Sequence, residues 1–199
     1  MTDFPSSDLI ELVAGRRGHF RTESGYHSAL WFDLDPLFAA SDKVWPYVEA
    51  LSDMLIKDKP DVICGPLRGG AFLAQQLSEI IGSEFWYTEP VSGGADTGLF
   101  GACYRLPEGF VNRMPEARVA IVDDVVSAGS SLRATDTELR AKGFKVVAVG
   151  TLLALGTVGT SYFSNRKVPV HAVTSDPFDL WQPADCPHCK AGVPLERVG

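Results

Sequence analysis

At 199 residues, with 45% hydrophobic and 22% charged residues, the chain has the makeup of one soluble globular domain with a full core, expected to span residues 1–199. A formal net charge of −7 argues against nucleic acid or an anionic membrane as the main partner. No apolar run approaches membrane-spanning length, and Met1 to Gly15 has neither the basic start nor the apolar core of a secretory signal, so a cytoplasmic location is expected.

Ser6 or Ser7 can cap a short helix carrying Leu9, Ile10, Leu12 and Val13, which Gly15 can end. From Gly18 to Phe38 the chain alternates through Phe20 and Thr22, turns at Ser24-Gly25 and resumes at Leu30 and Phe32, a hairpin pattern. Ser41 to Asp58 predicts a helix with Val44, Tyr47, Val48, Leu51, Leu55 and Ile56 on one side, broken by Pro60 and Asp61. Val62, Ile63 and Cys64 form a short buried strand. The loop GPLRGG (Gly65 to Gly70) and a helix over Ala71 to Ile81 follow, with Phe72, Leu73, Leu77, Ile80 and Ile81 expected to face inward. Glu84 to Tyr87 predicts another strand. Thr88 to Ala102 is Gly-rich without periodicity, which fits either a functional loop or a long hairpin connection, before Cys103 to Leu106 resumes a strand.

The most informative stretch is Arg118 to Arg140, RVAIVDDVVSAGSSLRATDTELR. Val119 to Val122 is an apolar run that fits a buried parallel strand. Asp123 and Asp124 stand where that strand should end, followed by small residues and then by Leu132, Ala134, Thr135 and Leu139 at helical spacing. A small-residue loop entering a helix aims backbone N–H groups and the positive end of the helix dipole at one point, where a phosphate can sit. Ser127, Ser130 and Ser131 add hydroxyl donors. Two carboxylates beside such a cradle repel the phosphate itself but suit the hydroxyls of an attached sugar, directly or through Mg²⁺. The pattern therefore asks for a ribose 5-phosphate; the plainer alternative is a strand followed by an ordinary helix cap.

Val146 to Leu155 predicts a central strand and Val168 to Val173 a weaker one, joined through Ser161 to Lys167. Cys64 and Cys103 are isolated. Cys186 and Cys189 form a lone CxxC with His188 between them, at most three ligands, so a packed turn is expected there rather than a zinc site.

The run IVDDVVSAGSSLRA resembles the signature of the type I phosphoribosyltransferases, which bind 5-phosphoribosyl 1-pyrophosphate. The pattern Gly18, Phe20, Ser24, Gly25, Ser28, Trp31, Phe32 resembles the N-terminal hood of orotate phosphoribosyltransferases, and the C-P-x-C…G-x-P-L tail is similar to the end of a bacterial subgroup of them. This resemblance implies an α/β fold with a parallel sheet flanked by helices, a hood over about residues 1–38, a core over about 39–175 and a tail over about 176–199. It also implies roles. Asp123 and Asp124 hold the ribose hydroxyls and organise Mg²⁺, while Val125, Val126, Ser127, Ala128, Gly129, Ser130 and Ser131 hold the 5-phosphate. Pro66, Leu67, Arg68 and Gly69, with Arg105, hold pyrophosphate. Trp31, Phe32 and Ser130 meet the base, Thr88 to Ala102 forms a lid, and a homodimer is expected.

The departures from that pattern are specific. Glu23 stands where a basic residue usually precedes the hood Ser-Gly, and Leu155 stands nearest the usual base-facing arginine. No Lys or Arg occurs between Arg68 and Arg105. A buried carboxylate on the substrate is costly without a cation. The leading expectation is transfer of phosphoribosyl to orotate or a related pyrimidine; transfer to a neutral base and a non-catalytic sensor of the donor are the alternatives.

Overall fold

The computed structural model describes residues 9–11, 15–32, 39, 41–91 and 99–197. Both ends of the expected N-terminal helix and residues 92–98 of the expected lid therefore lie outside the described residues. No helix among the described residues is long and apolar enough to cross a membrane.

The core is a sheet of six strands in the order β5-β4-β3-β6-β7-β8. Its members are β3 (Val62–Pro66), β4 (Glu84–Pro90), β5 (Tyr104–Arg105), β6 (Arg118–Val126), β7 (Lys145–Leu155) and β8 (Val170–Asp176). All pairings are parallel except that of β5 with β4. Helices α1 (Ser41–Leu55), α2 (Gly69–Ile81), α3 (Glu108–Val111), α4 (Ser130–Ala141) and α5 (Val158–Ser164) supply the crossovers and flanking layers. Continuous apolar strands such as β6 arise because helices cover both faces. Ala120 and Val122 point into a core with Val48, Leu51, Leu55, Leu73 and Leu77; Val119 and Ile121 point into another with Trp86, Leu132, Leu139, Phe144 and Phe163.

The expected Ala71 to Ile81 helix forms, but only part of its predicted face is inward. Leu73 and Leu77 are buried, whereas Phe72 and Ile80 are 51% and 39% exposed. A helix lying on a sheet buries one stripe, and the five predicted inward residues spread over more than that stripe. The Asp pair is also inside the strand rather than beyond it, since β6 runs to Val126.

A second sheet, in the order β10-β1-β2-β9, forms the hood. The hairpin of β1 (Arg16–Arg21) and β2 (His27–Trp31) is flanked by two short strands of the tail, β9 (Leu180–Trp181) and β10 (Glu196–Arg197). Between those tail strands lies a one-turn helix, α6 (Pro187–Lys190). The tail is thus part of the hood, a pairing between residues about 175 positions apart that local patterning does not reveal.

Candidate active site

The strand order reverses between β3 and β6: the chain leaves β3 toward β4 on one side and β6 toward β7 on the other. In open α/β sheets ligands bind at the carboxyl ends of the strands at such a point. The loops after β3 and β6 emerge there side by side, and a cavity of about 590 Å³ opens between them. Its walls are Pro66 to Gly69 and Phe72 from one side, Asp123 to Val125 and Ser127 to Ser131 from the other, Thr22 to Ser24 from the hood and Tyr104 from β5.

The carboxylates are the most constrained groups in this wall. Asp123 and Asp124 are 8% and 3% exposed. Ser131 Oγ donates to Asp123 Oδ2 at 2.7 Å, and the Asp124 N–H donates to Asp123 Oδ1 at 3.2 Å. Asp124 Oδ1 accepts the Val125 N–H at 2.8 Å, but its buried Oδ2 has no hydrogen-bond partner among the described residues. Burial raises both pKa values, and the neighbouring Asp124 charge raises that of Asp123 further. A buried acidic pair with one oxygen left unpartnered fits sugar hydroxyls and a divalent cation, both of which supply what the protein withholds.

Beside the pair, Gly129 adopts φ +72° and α4 begins at Ser130. The Gly159 N–H of α5 donates to Ser127 O at 2.9 Å and fixes the loop from behind. Ser130 Oγ is buried without a partner among the described residues. Loop N–H groups, a 12-residue helix aimed at the cavity and a free hydroxyl make an anion cradle. Across the cavity, the β3 loop approaches so closely that a Cβ on Gly69 would stand 2.7 Å from Asp124 Cγ. Arg68 is exposed and is the one cation in the cavity wall among the described residues.

Of the residues singled out in the sequence, the cavity wall brings together Pro66, Leu67, Arg68, Gly69, Asp123, Asp124, Val125 and Ser127 to Ser131. Val126 is not in the wall; it is buried and packs its Cγ1 toward Gly129 and Gly159. Arg105 is exposed on β5, and its strand neighbour Tyr104 faces the cavity instead, as alternation along a strand requires. Trp31 and Phe32 do not line the cavity: Trp31 lies under the Arg16 guanidinium at 5.4 Å, and Phe32 packs 6.0 Å from Phe178.

Sequence reasoning missed Tyr104, whose hydroxyl donates to Glu23 Oε1 at 3.1 Å and ties β5 to the hood. Burial raises the Glu23 pKa, offset in part by that hydroxyl. Arg133 of α4 lies outside the cavity wall. Its guanidinium lies 3.8 Å over Phe100 and 4.5 Å over Tyr162, and its Nη2 donates to Val158 O at 2.7 Å. No local pattern marks either residue, because their partners are distant in sequence.

An α/β sheet with a phosphate cradle, an acidic pair and a glycine loop meeting at its reversal point defines a phosphosugar-binding enzyme. Residues 47–181 match the model of the phosphoribosyl transferase domain. The chain is 28% identical over 182 residues to an orotate phosphoribosyltransferase of Thermotoga maritima, covering 92% of this chain and 90% of that one. It is 31% identical over 188 residues to the orotate phosphoribosyltransferase of Heliobacterium modesticaldum, covering 92% and 89%. In fold it is similar to the crystal structure of orotate phosphoribosyltransferase from Aeropyrum pernix, with a TM-score of 0.66 at 22% identity over 85% of this chain and 91% of that one. The chain belongs to the type I phosphoribosyltransferase family.

Proposed function

We propose that the protein transfers the 5-phosphoribosyl group from phosphoribosyl pyrophosphate to orotate, releasing pyrophosphate, as a step of pyrimidine nucleotide biosynthesis. The observation that carries this reading is the buried Asp124 Oδ2, left without a hydrogen-bond partner among the described residues, in the wall between the small-residue loop and the Arg68 loop. In this reading Ser127 to Ser131 bind the 5-phosphate, Asp123 and Asp124 bind the ribose hydroxyls, and Pro66 to Gly69 with Arg68 bind the pyrophosphate. Ser131 orients Asp123 through its 2.7 Å hydrogen bond, and the Val125 N–H orients Asp124. The chain's own contribution is positioning: it holds the donor's two charged ends so that C1 faces the incoming ring nitrogen. In the same reading the hood segment Thr22 to Ser24, in the cavity wall, holds the base.

Mg²⁺ fits this donor set, because two buried carboxylates with raised pKa values and an unpaired oxygen gain from a divalent cation. When bound it would offset the charge of the departing pyrophosphate. A cytoplasmic, homodimeric protein working as a single domain is our reading for the whole chain.

A second reading, transfer to a neutral base, is favoured by Glu23, a carboxylate in the cavity wall on the hood side. Pyrophosphate release from the Mg²⁺-bound donor, with orotate, uracil and purine bases supplied one at a time, separates the two. Release with orotate alone is the expected result; release only with an uncharged base selects the second reading. Arg68→Ala is expected to raise KM for the donor by about 10- to 100-fold, the worth of one or two charge-assisted hydrogen bonds. Steady-state kinetics at saturating base check this, and an unchanged donor KM would remove Arg68 from the pyrophosphate site.

A further inference from the structure

The tail CxxC is not alone in the folded chain. His19 from β1 and His27 from β2 meet Cys186 and Cys189 at α6, and the four donor atoms all lie within 4.8 Å of one another. His19 Nε2 is 3.1 Å from His27 Nδ1, 3.4 Å from Cys186 Sγ and 3.6 Å from Cys189 Sγ; His27 Nδ1 is 3.3 Å from Cys189 Sγ. A tetrahedral zinc with ordinary bond lengths requires N···N of about 3.3 Å and N···S of about 3.6 Å between its ligands. These four of the six spacings match that set to within about 0.3 Å, and the remaining two, from Cys186 to His27 and to Cys189, lie within 4.8 Å.

The tautomer of His19 is settled by its other nitrogen. Nδ1 lies 2.8 Å from the backbone oxygen of Val193, which can only accept, so Nδ1 carries the proton and Nε2 presents a lone pair. Three polar atoms then converge on that single lone pair. A hydrogen bond satisfies one of them; a cation at the centre satisfies all four groups at once. The carbonyl that orients His19 is the outer partner a metal-bound imidazole ordinarily has. His19, His27 and Cys186 are 2%, 4% and 0% exposed, a degree of burial that polar groups tolerate when fully paired. His188, between the two cysteines, is not one of the four. Its ring stacks 5.4 Å from that of His19 and 5.5 Å from Trp181, covering the cluster.

We propose that His19, His27, Cys186 and Cys189 form a structural Zn²⁺ site that fastens the C-terminal tail to the hood. The four ligands leave no open coordination position, so the role is architectural. Its place in the hood gives it a further consequence. His19 and His27 stand on the two legs of the hairpin whose tip, Thr22 to Ser24, forms part of the cavity wall. The metal holds both legs and thereby the height of that tip over the site. This inference is independent of which base the enzyme uses.

The full chain, purified without an affinity tag or chelator, is expected to contain about one zinc per chain by elemental analysis. Replacement by Co²⁺ is expected to give the thiolate-to-cobalt charge-transfer band and intense visible d–d bands of a tetrahedral site with sulfur ligands. Removal of zinc by a chelator is expected to lower the unfolding midpoint by about 5 °C or more. Cys189→Ser, at the exposed ligand, keeps the fold and is expected to weaken the cobalt charge-transfer band. A metal-free protein that takes up Co²⁺ without that spectrum would overturn the proposal. So would mass spectrometry showing a Cys186–Cys189 disulfide in the protein purified under reducing conditions.

Discussion

Asp124→Asn is expected to lower kcat/KM by about 10²–10³-fold while raising the thermal stability of the ligand-free protein. The two effects share one cause. Asp124 is buried with its Oδ2 unpartnered, and its charge also raises the pKa of Asp123. Both folded-state pKa values stand above the unfolded value of about 3.9, so above that pH the folded chain holds protons that the unfolded chain releases. Stability of the ligand-free protein is therefore greatest below the unfolded pKa and falls as pH rises through the raised folded values. An amide at position 124 keeps the acceptor for the Val125 N–H, removes a buried charge and relieves Asp123 of its neighbour. The unfolding midpoint at neutral pH should rise by about 2–4 °C for each kcal/mol so recovered. The wild-type midpoint should also fall from mildly acidic to neutral pH more steeply than that of the variant. Calorimetry of the ligand-free proteins across pH, beside steady-state kinetics, checks both halves. A variant that is less stable and still turns over would remove Asp124 from the site.

The burial of two neighbouring carboxylates is why this stretch stood out in the sequence. Two acidic residues after an apolar run are a poor way to end a buried strand, and their presence signals a ligand. In the structure the strand runs through them, which makes their burial deeper and the signal stronger. The glycines around Arg68 were legible for a similar reason. What could not be read were features set by pairing across distance: the tail strands on the hood hairpin, Tyr104 reaching Glu23, and the two histidines meeting the CxxC. A lone CxxC supplies too few ligands until the fold brings the missing ones. Arg105 shows the limit in another form. A shift of one residue along β5 decides whether an arginine or a tyrosine faces the cavity, and a strand of two residues carries no periodicity from which to choose.

Gly65→Ala is expected to abolish donor binding. Gly65 is buried in β3, and a Cβ there would run into the backbone carbonyl of Gly70 and stand 2.7 Å from the Ala71 nitrogen. Backbone cannot rotate aside as a flexible side chain can, so the start of α2 must move outward and carry Arg68 and Gly69 with it. Gly70 cannot yield inward. A Cβ on it would meet Pro66 Cδ at 2.6 Å and Val122 O at 2.7 Å, so the turn is already in contact with β6. The cost is about 1–3 kcal/mol or more in stability, and the larger loss is geometric, because the β3 loop no longer faces Asp124. Gly109→Ala is the matched control, since nothing lies within 4 Å of its added Cβ, and it should leave stability and binding near wild type. Titration calorimetry with the Mg²⁺-bound donor, together with thermal unfolding, reads both variants. Tight donor binding by Gly65→Ala would mean that the β3 loop can open without cost and does not hold the donor.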